Sequence, residues 1–325
     1  MRSPHLDHWL NLVDRPAFLA ALGPHDREFG RVVGLPLLAV AAAAVIGGVA
    51  FVLVMPLNGL LLHWFSPGSA SAPITGVTLH RLDAAVGLVG ETARLLTTAP
   101  GFIGLCVAVP LVGALLMRRP ARSWFTGALQ FRWRLMVSGF GLYAAITAAG
   151  MALEGLVAGF PKSPPLFQSD ESFAVRGLYL LATVAVLAAA AAAEELVFRG
   201  WMMQQTAAFT RSLPLIVGVN AVLFAAMHLD SDPAQNLVRF TAGVVYGLVA
   251  LRLGGLEFGI GLHAANNVMI ALFLHPLAET AVTSRMGLGE LMVQMGVSLS
   301  GLVLAELVSR QPRLRFWAGL AEPDR

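Results

Sequence analysis

Three short stretches carry side chains able to do chemistry: Glu194-Glu195-x-x-x-Arg199, Phe224-x-x-x-His228 and His263-x-x-x-Asn267. Each lies in or at the edge of an apolar run, where an ionisable group at a helix centre costs about 2.5–3.5 kcal/mol on insertion scales. Glu195 and Arg199 are four apart and share a helix face in the favourable order, so an ion pair is their simplest use. Glu194 points about 100° away from its neighbour and has no partner nearby in sequence. Taken singly, His228 and His263 read equally well as packing histidines. Taken together, three neighbouring apolar runs each present polar groups, flanked by the Ala and Gly that let helices approach closely. Buried polar groups need partners, so these side chains are expected to meet in one intramembrane polar cavity.

Such a set suits hydrolysis. A carboxylate and an imidazole can hold and deprotonate a water. A second imidazole and a carboxamide can donate to an oxygen that gains negative charge. Together these meet the needs of peptide hydrolysis through a tetrahedral intermediate. No Ser or Cys stands beside a base in the motifs, which disfavours a covalent nucleophile. Glu194, His228 and His263 also make a plausible Zn2+ ligand set, although the HExxH helix of soluble zinc proteases is absent.

The elements that must hold these residues are membrane helices. Of the 325 residues, 57% are hydrophobic and 13% charged, against roughly 25% charged in a soluble domain, and the mean hydropathy is +0.72. A spanning helix needs about 20 apolar residues. Runs at 32–62, 95–117, 135–153, 177–193 and 212–229 are clear, and 240–251, 258–274 and 291–305 are weaker. The fold class is therefore all-α, a polytopic bundle of about eight transmembrane helices. Pro56 is expected to end the first helix, and Arg239 and Arg252 to snorkel from the ends of the short sixth run.

Arginines set the orientation. Arg2, Arg15, Arg27 and Arg31 precede the first span, Arg118, Arg119, Arg122, Arg132 and Arg134 follow the second, and Arg310, Arg313, Arg315 and Arg325 end the chain. Eight crossings put all three groups on one side, which the positive-inside rule makes cytoplasmic, with loop 160–172 facing outward. A cleavable leader does not fit the long first run, despite Ala70-Ser71-Ala72. Residues Leu6, Trp9, Leu10, Val13, Phe18 and Leu22 have roughly the spacing of a surface-lying helix, and 78–96 offers a second such stretch for the outer face; the favoured expectation is that both simply cover the bundle. The net charge of +3 is too weak and scattered for nucleic-acid binding. Cys106, the single cysteine, excludes an intrachain disulfide framework and reads as a small packed side chain. The chain divides into a cytoplasmic or interfacial segment (1–30), an N-terminal transmembrane region (31–172), a catalytic transmembrane core (173–309) and a cytoplasmic tail (310–325).

The ordered motifs, with Glu-Leu-Val-Phe-Arg-Gly-Trp and Gly-Leu-His-Ala-Ala-Asn-Asn around them, resemble the CPBP family of intramembrane proteases. That family includes type II CAAX prenyl endopeptidases and bacteriocin-processing relatives, and the resemblance covers about residues 173–275. It implies an eight-helix fold in which Glu194 activates water with His228, while His263 and Asn267 form the oxyanion hole. Glu195, Arg199 and Phe224 would be supporting residues. The family carries a metalloprotease label, but a two-donor oxyanion hole fits a metal-free mechanism better. The expected partners are the bilayer, plausibly a bacterial inner membrane, and a membrane-associated or lipidated peptide. The other reading is a non-catalytic scaffold or small-solute transporter that uses the same cluster for binding or packing. Against a transporter, no inverted repeat with matched broken helices is visible.

Overall fold

A computed structural model describes residues 16–65, 87–159, 164–167, 171–274 and 286–320. Its long elements are α1 (Phe29–Phe65), α2 (Gly87–Met117), α3 (Trp133–Ala158), α4 (Phe173–Phe209), α5 (Leu213–Ala226), α6 (Pro233–Leu253), α7 (Glu257–Phe273) and α8 (Leu288–Arg310). A short α9 (Pro312–Trp317) follows, and the described residues form no strand. Helices suit an apolar layer because they satisfy every backbone polar group internally. Six of them, α1 to α4, α6 and α8, are long and apolar enough to cross a membrane. The two shorter ones, α5 and α7, complete the eight.

Pro56 does not end the first helix: α1 runs through both Pro36 and Pro56. An interior proline costs about 3 kcal/mol. Leaving the helix at membrane depth would strand several backbone groups, each costing several kcal/mol. Continuing is cheaper. The fourth span is also longer than expected. It does not stop at Ala193 but continues through a π-helical stretch, Leu196–Met203, into a last α-helical segment, Gln204–Phe209. Glu194 and Glu195 therefore lie inside a helix rather than at its end.

On the described residues, both stretches pack into the bundle, as the favoured expectation had it, and neither lies as a separate interfacial helix. Residues 87–96 form the start of α2, with Leu88, Val89 and Ala93 in the core, and Glu91 pairs with Arg94 one turn on. Pairing lets the charges enter the helix without an interfacial resting place. Phe18 and Leu22 do not lie on a surface helix. They are buried with Leu19 against Met117, Trp124, Leu196 and Leu256, because two tight turns, Ala17–Leu19 and Pro24–Arg27, fold them inward. Leu6, Trp9, Leu10 and Val13 lie outside the described residues.

Arginine-bearing connections gather at one end of the bundle. Asp26 sits 3.5 Å from Arg119, whose guanidinium lies 3.8 Å over the Trp124 ring. Arg132 pairs with Glu257 at 2.7 Å, and Arg134 donates to the carbonyls of Phe316 and Trp317. At the other end, Phe167 packs on Phe273, and the Glu171 carboxylate accepts from the Leu88 N–H. One basic end agrees with an even number of crossings. In the sixth helix, charge is paired rather than merely snorkelled: Arg239 meets Asp230 at 2.5 Å, and Arg252 meets Glu306 at 2.8 Å. Cys106 is a partly buried packing residue whose Sγ lies 3.7 Å from the Ala189 carbonyl.

Close approach of backbones positions the site. A Cβ on Gly261 would overlap the Met136 carbonyl, so this glycine lets α7 lie directly on α3. One on Gly243 would stand 2.9 Å from Ala221 Cα, which sets α6 against α5.

Candidate active site

The site is built where α4, α5, α6 and α7 meet. Glu195 and Arg199 are fully buried and joined at 3.1 Å, and Arg199 also donates to the Gly243 carbonyl of α6 at 3.1 Å. Its guanidinium lies 4.4 Å from the Phe224 ring centre and 5.3 Å from that of Tyr246. The charge is thereby held between a carboxylate, a carbonyl and two aromatic rings. The π-helical stretch begins just after Glu195 and contains Arg199. Such widened turns cluster at functional sites.

The structure enlarges the expected ion pair into a chain. Glu195 Oε1, already facing Arg199, lies 2.9 Å from His263 Nδ1, and Glu194 Oε2 lies 3.7 Å from His263 Nε2. A single imidazole thus spans the gap between two adjacent glutamates that point apart on their own helix. Glu194 is partly exposed and His263 buried. Two atoms 3.7 Å apart can share one water at hydrogen-bond distance from each.

His228 follows the last turn of α5 and is exposed. Its Nδ1 lies 2.8 Å from the Phe224 carbonyl. A carbonyl only accepts, so Nδ1 carries the hydrogen and Nε2 keeps a lone pair. Arg239, Asp230, Glu194 and His263 lie close enough to act electrostatically on His228. Helix α5 has 14 residues, about 21 Å at 1.5 Å per residue, against an apolar layer of about 30 Å. Entered from the basic end, it leaves His228 at membrane depth. An open groove of about 540 Å³ runs beside it, lined by Ala225, Ala226, Leu229, Asp230, Asn236 and Phe240 among others. Neither Glu194 nor His263 lines that groove.

Phe224 is the hub of the ring packing. It meets Phe198 at 5.1 Å, His228 at 5.0 Å and His263 at 5.8 Å, all edge-on. Asn267 stands one turn beyond His263 on the same face of α7 and is half-buried. No hydrogen bond joins it directly to Glu194, His228 or His263. Its side-chain oxygen faces the Asn266 amide at 3.5 Å. Sequence reasoning found α6 as a span but gave it no part in the site. Gly243 and Tyr246 belong to no motif, and all three tyrosines of the chain fall within apolar runs, so nothing in the sequence set Tyr246 apart.

Among the described residues no three His, Cys, Asp or Glu side chains are arranged to hold one metal ion. Glu194, His228 and His263 are accordingly not gathered as one ion-binding group in this structure.

Fold and site define a multi-pass helical membrane protein with a glutamate–histidine cluster inside the bundle. Residues 176–269, which contain all three motifs, match the family model of type II CAAX prenyl endopeptidase Rce1-like proteins. The match bears out the resemblance seen in the motifs. The chain is also 28% identical over 169 residues to an uncharacterized protein, YyaK, of Bacillus subtilis (strain 168). That alignment covers 49% of this chain and 54% of the relative, so the chain spans about half the length of the curated protein it matches. No solved structure matches.

Proposed function

We propose that this protein hydrolyses a peptide bond of a membrane-associated substrate with a water activated by Glu194 and His228. The observation that carries the reading is a pair of oppositely fixed imidazoles, one facing Glu194 at 3.7 Å and the other within its electrostatic reach. His228 is anchored by a backbone carbonyl, which leaves its Nε2 able to accept. His263 is anchored through Nδ1 by the Glu195 carboxylate, and its Nε2 faces Glu194. With hydrogens on both ring nitrogens, His263 donates at Nε2. Arg199, Glu195, His263 and Glu194 then alternate in charge and sum to zero, which suits a buried setting.

Glu194 takes a proton from the water, and the oxygen attacks the scissile carbonyl carbon. The carbonyl oxygen gains the negative charge, which His263 Nε2–H and the Asn267 amide stabilise. Asn267 requires a rotamer turned toward the substrate, as catalytic hydrogen bonds often tighten only with substrate bound. The proton held by Glu194 passes to the leaving nitrogen and the C–N bond breaks; the new carboxylic acid gives its remaining proton to the amine, so a carboxylate and an ammonium leave and Glu194 is regenerated. Glu195 and Arg199 hold His263 in place and touch no substrate.

Purified protein in lipid nanodiscs should cleave membrane-anchored peptides, with equal rates with and without chelator, and Glu194→Gln should not. A wild-type protein that binds such peptides without cutting them would favour the scaffold reading.

A further inference from the structure

Resting on the reading above, we infer that Tyr246 of α6 is the positioning residue that sets the plane of the His263 ring. Tyr246 is buried, and its ring stacks on His263 with centres 5.1 Å apart and planes 22° from parallel. No other ring in the site lies parallel to His263, since Phe224 meets it edge-on at 80°.

The need for such a residue follows from imidazole geometry. The torsion that turns the ring about its bond to Cβ has broad, roughly two-fold wells. The hydrogen bond from Nδ1 to Glu195 fixes one corner but leaves the ring free to tilt about that corner. A tilt would carry Nε2 away from Glu194, which lies 3.7 Å from it. Tyr246 closes one face of the ring and Phe224 buttresses the edge, so the tilt is blocked.

Tyr246 is tied into the same assembly a second time. Its ring lies 5.3 Å from the Arg199 guanidinium carbon. Gly243, one turn earlier on α6, accepts from Arg199. Helix α6 therefore supplies a carbonyl and an aromatic face that jointly fix both neighbours of Glu195, although it bears none of the three motifs.

The test compares Tyr246→Phe, which keeps the flat ring, with Tyr246→Met and Tyr246→Leu, which fill space without one. Tyr246→Phe should retain kcat. Met and Leu should each lose on the order of 10²-fold in kcat, the scale of a misplaced group, with KM little changed. A second readout needs no turnover: NMR of protein carrying 15N-labelled histidine, prepared in the inactive Glu194→Gln background, with His263→Gln identifying the signal. The His263 ring signals should be retained in Tyr246→Phe and shifted or broadened in Tyr246→Met. Unchanged His263 signals in a folded Tyr246→Met protein would overturn the inference, as would full kcat in Met or Leu. If wild type cleaves nothing while the NMR signals behave as expected, the proteolytic reading fails and the positioning role stands.

Discussion

Replacing Arg199 should cost stability first and turnover as a consequence. Arg199 and Glu195 are almost wholly inaccessible to water. Arg199→Met keeps most of the apolar stem but removes the charge, the bond to Glu195 and the bond to the Gly243 carbonyl. Breaking a buried ion pair by removing one partner typically costs about 3–5 kcal/mol, because the other charge is left uncompensated. Glu195 would keep its bond to His263 Nδ1, which places the loss toward the lower end of that range, although its second carboxylate oxygen is buried without a hydrogen bond among the described residues. At about 2–4 °C per kcal/mol for a mid-sized domain, the melting temperature should fall on the order of 10 °C. The assay is fluorescence-detected size-exclusion after heating in one detergent. The double variant Arg199→Met/Glu195→Gln should recover part of the loss, because no unpaired charge remains, yet stay inactive because His263 has lost its anchor. An Arg199→Met protein that melts with wild type and fails only in turnover would refute this reasoning and make Arg199 part of the chemistry.

Other outcomes follow from the same geometry. Asn267→Ala should fold normally and lose about 10²–10³ in kcat, the usual cost of one oxyanion donor. His228→Ala should lose turnover while keeping its melting temperature, because the residue is exposed and its Nδ1 bond reaches only the adjacent turn of its own helix. Active protein should contain well under one zinc per chain by elemental analysis; stoichiometric zinc, activity restored by adding it back and a mild Asn267→Ala phenotype would together establish a metal mechanism. Reporter fusions after Arg325 and within 118–134 should read cytoplasmic and one at Pro164 external, and an opposite signal at any of them would break the charge-based orientation.

The eight helices were legible because apolar length leaves a strong mark on sequence, and the cluster because charge inside an apolar run demands partners. Glu194, Glu195, Arg199 and His263 lie together, and His228 reaches them through the Phe224 ring. What the sequence did not reveal was how they are wired. That Glu195 Oε1 serves Arg199 and His263 together depends on the distance between α4 and α7, which the Gly261 contact with α3 helps to set. Spacing along one chain carries no such information. Tyr246 escaped notice for a related reason: a tyrosine within an apolar helix reads as packing until its ring is seen on an imidazole. Pro56 misled because proline's cost was weighed alone, without the greater cost of ending a helix in lipid.

The central claim is that Glu194 activates a water that cuts a peptide bond. Its most direct test is cleavage of a membrane-anchored peptide in 18O-labelled water, with the products read by mass spectrometry. Wild-type protein should yield a new C-terminal carboxylate carrying one solvent oxygen, and Glu194→Gln, folded and still binding the peptide, should yield none. Cleavage by Glu194→Gln at the wild-type rate would contradict the account.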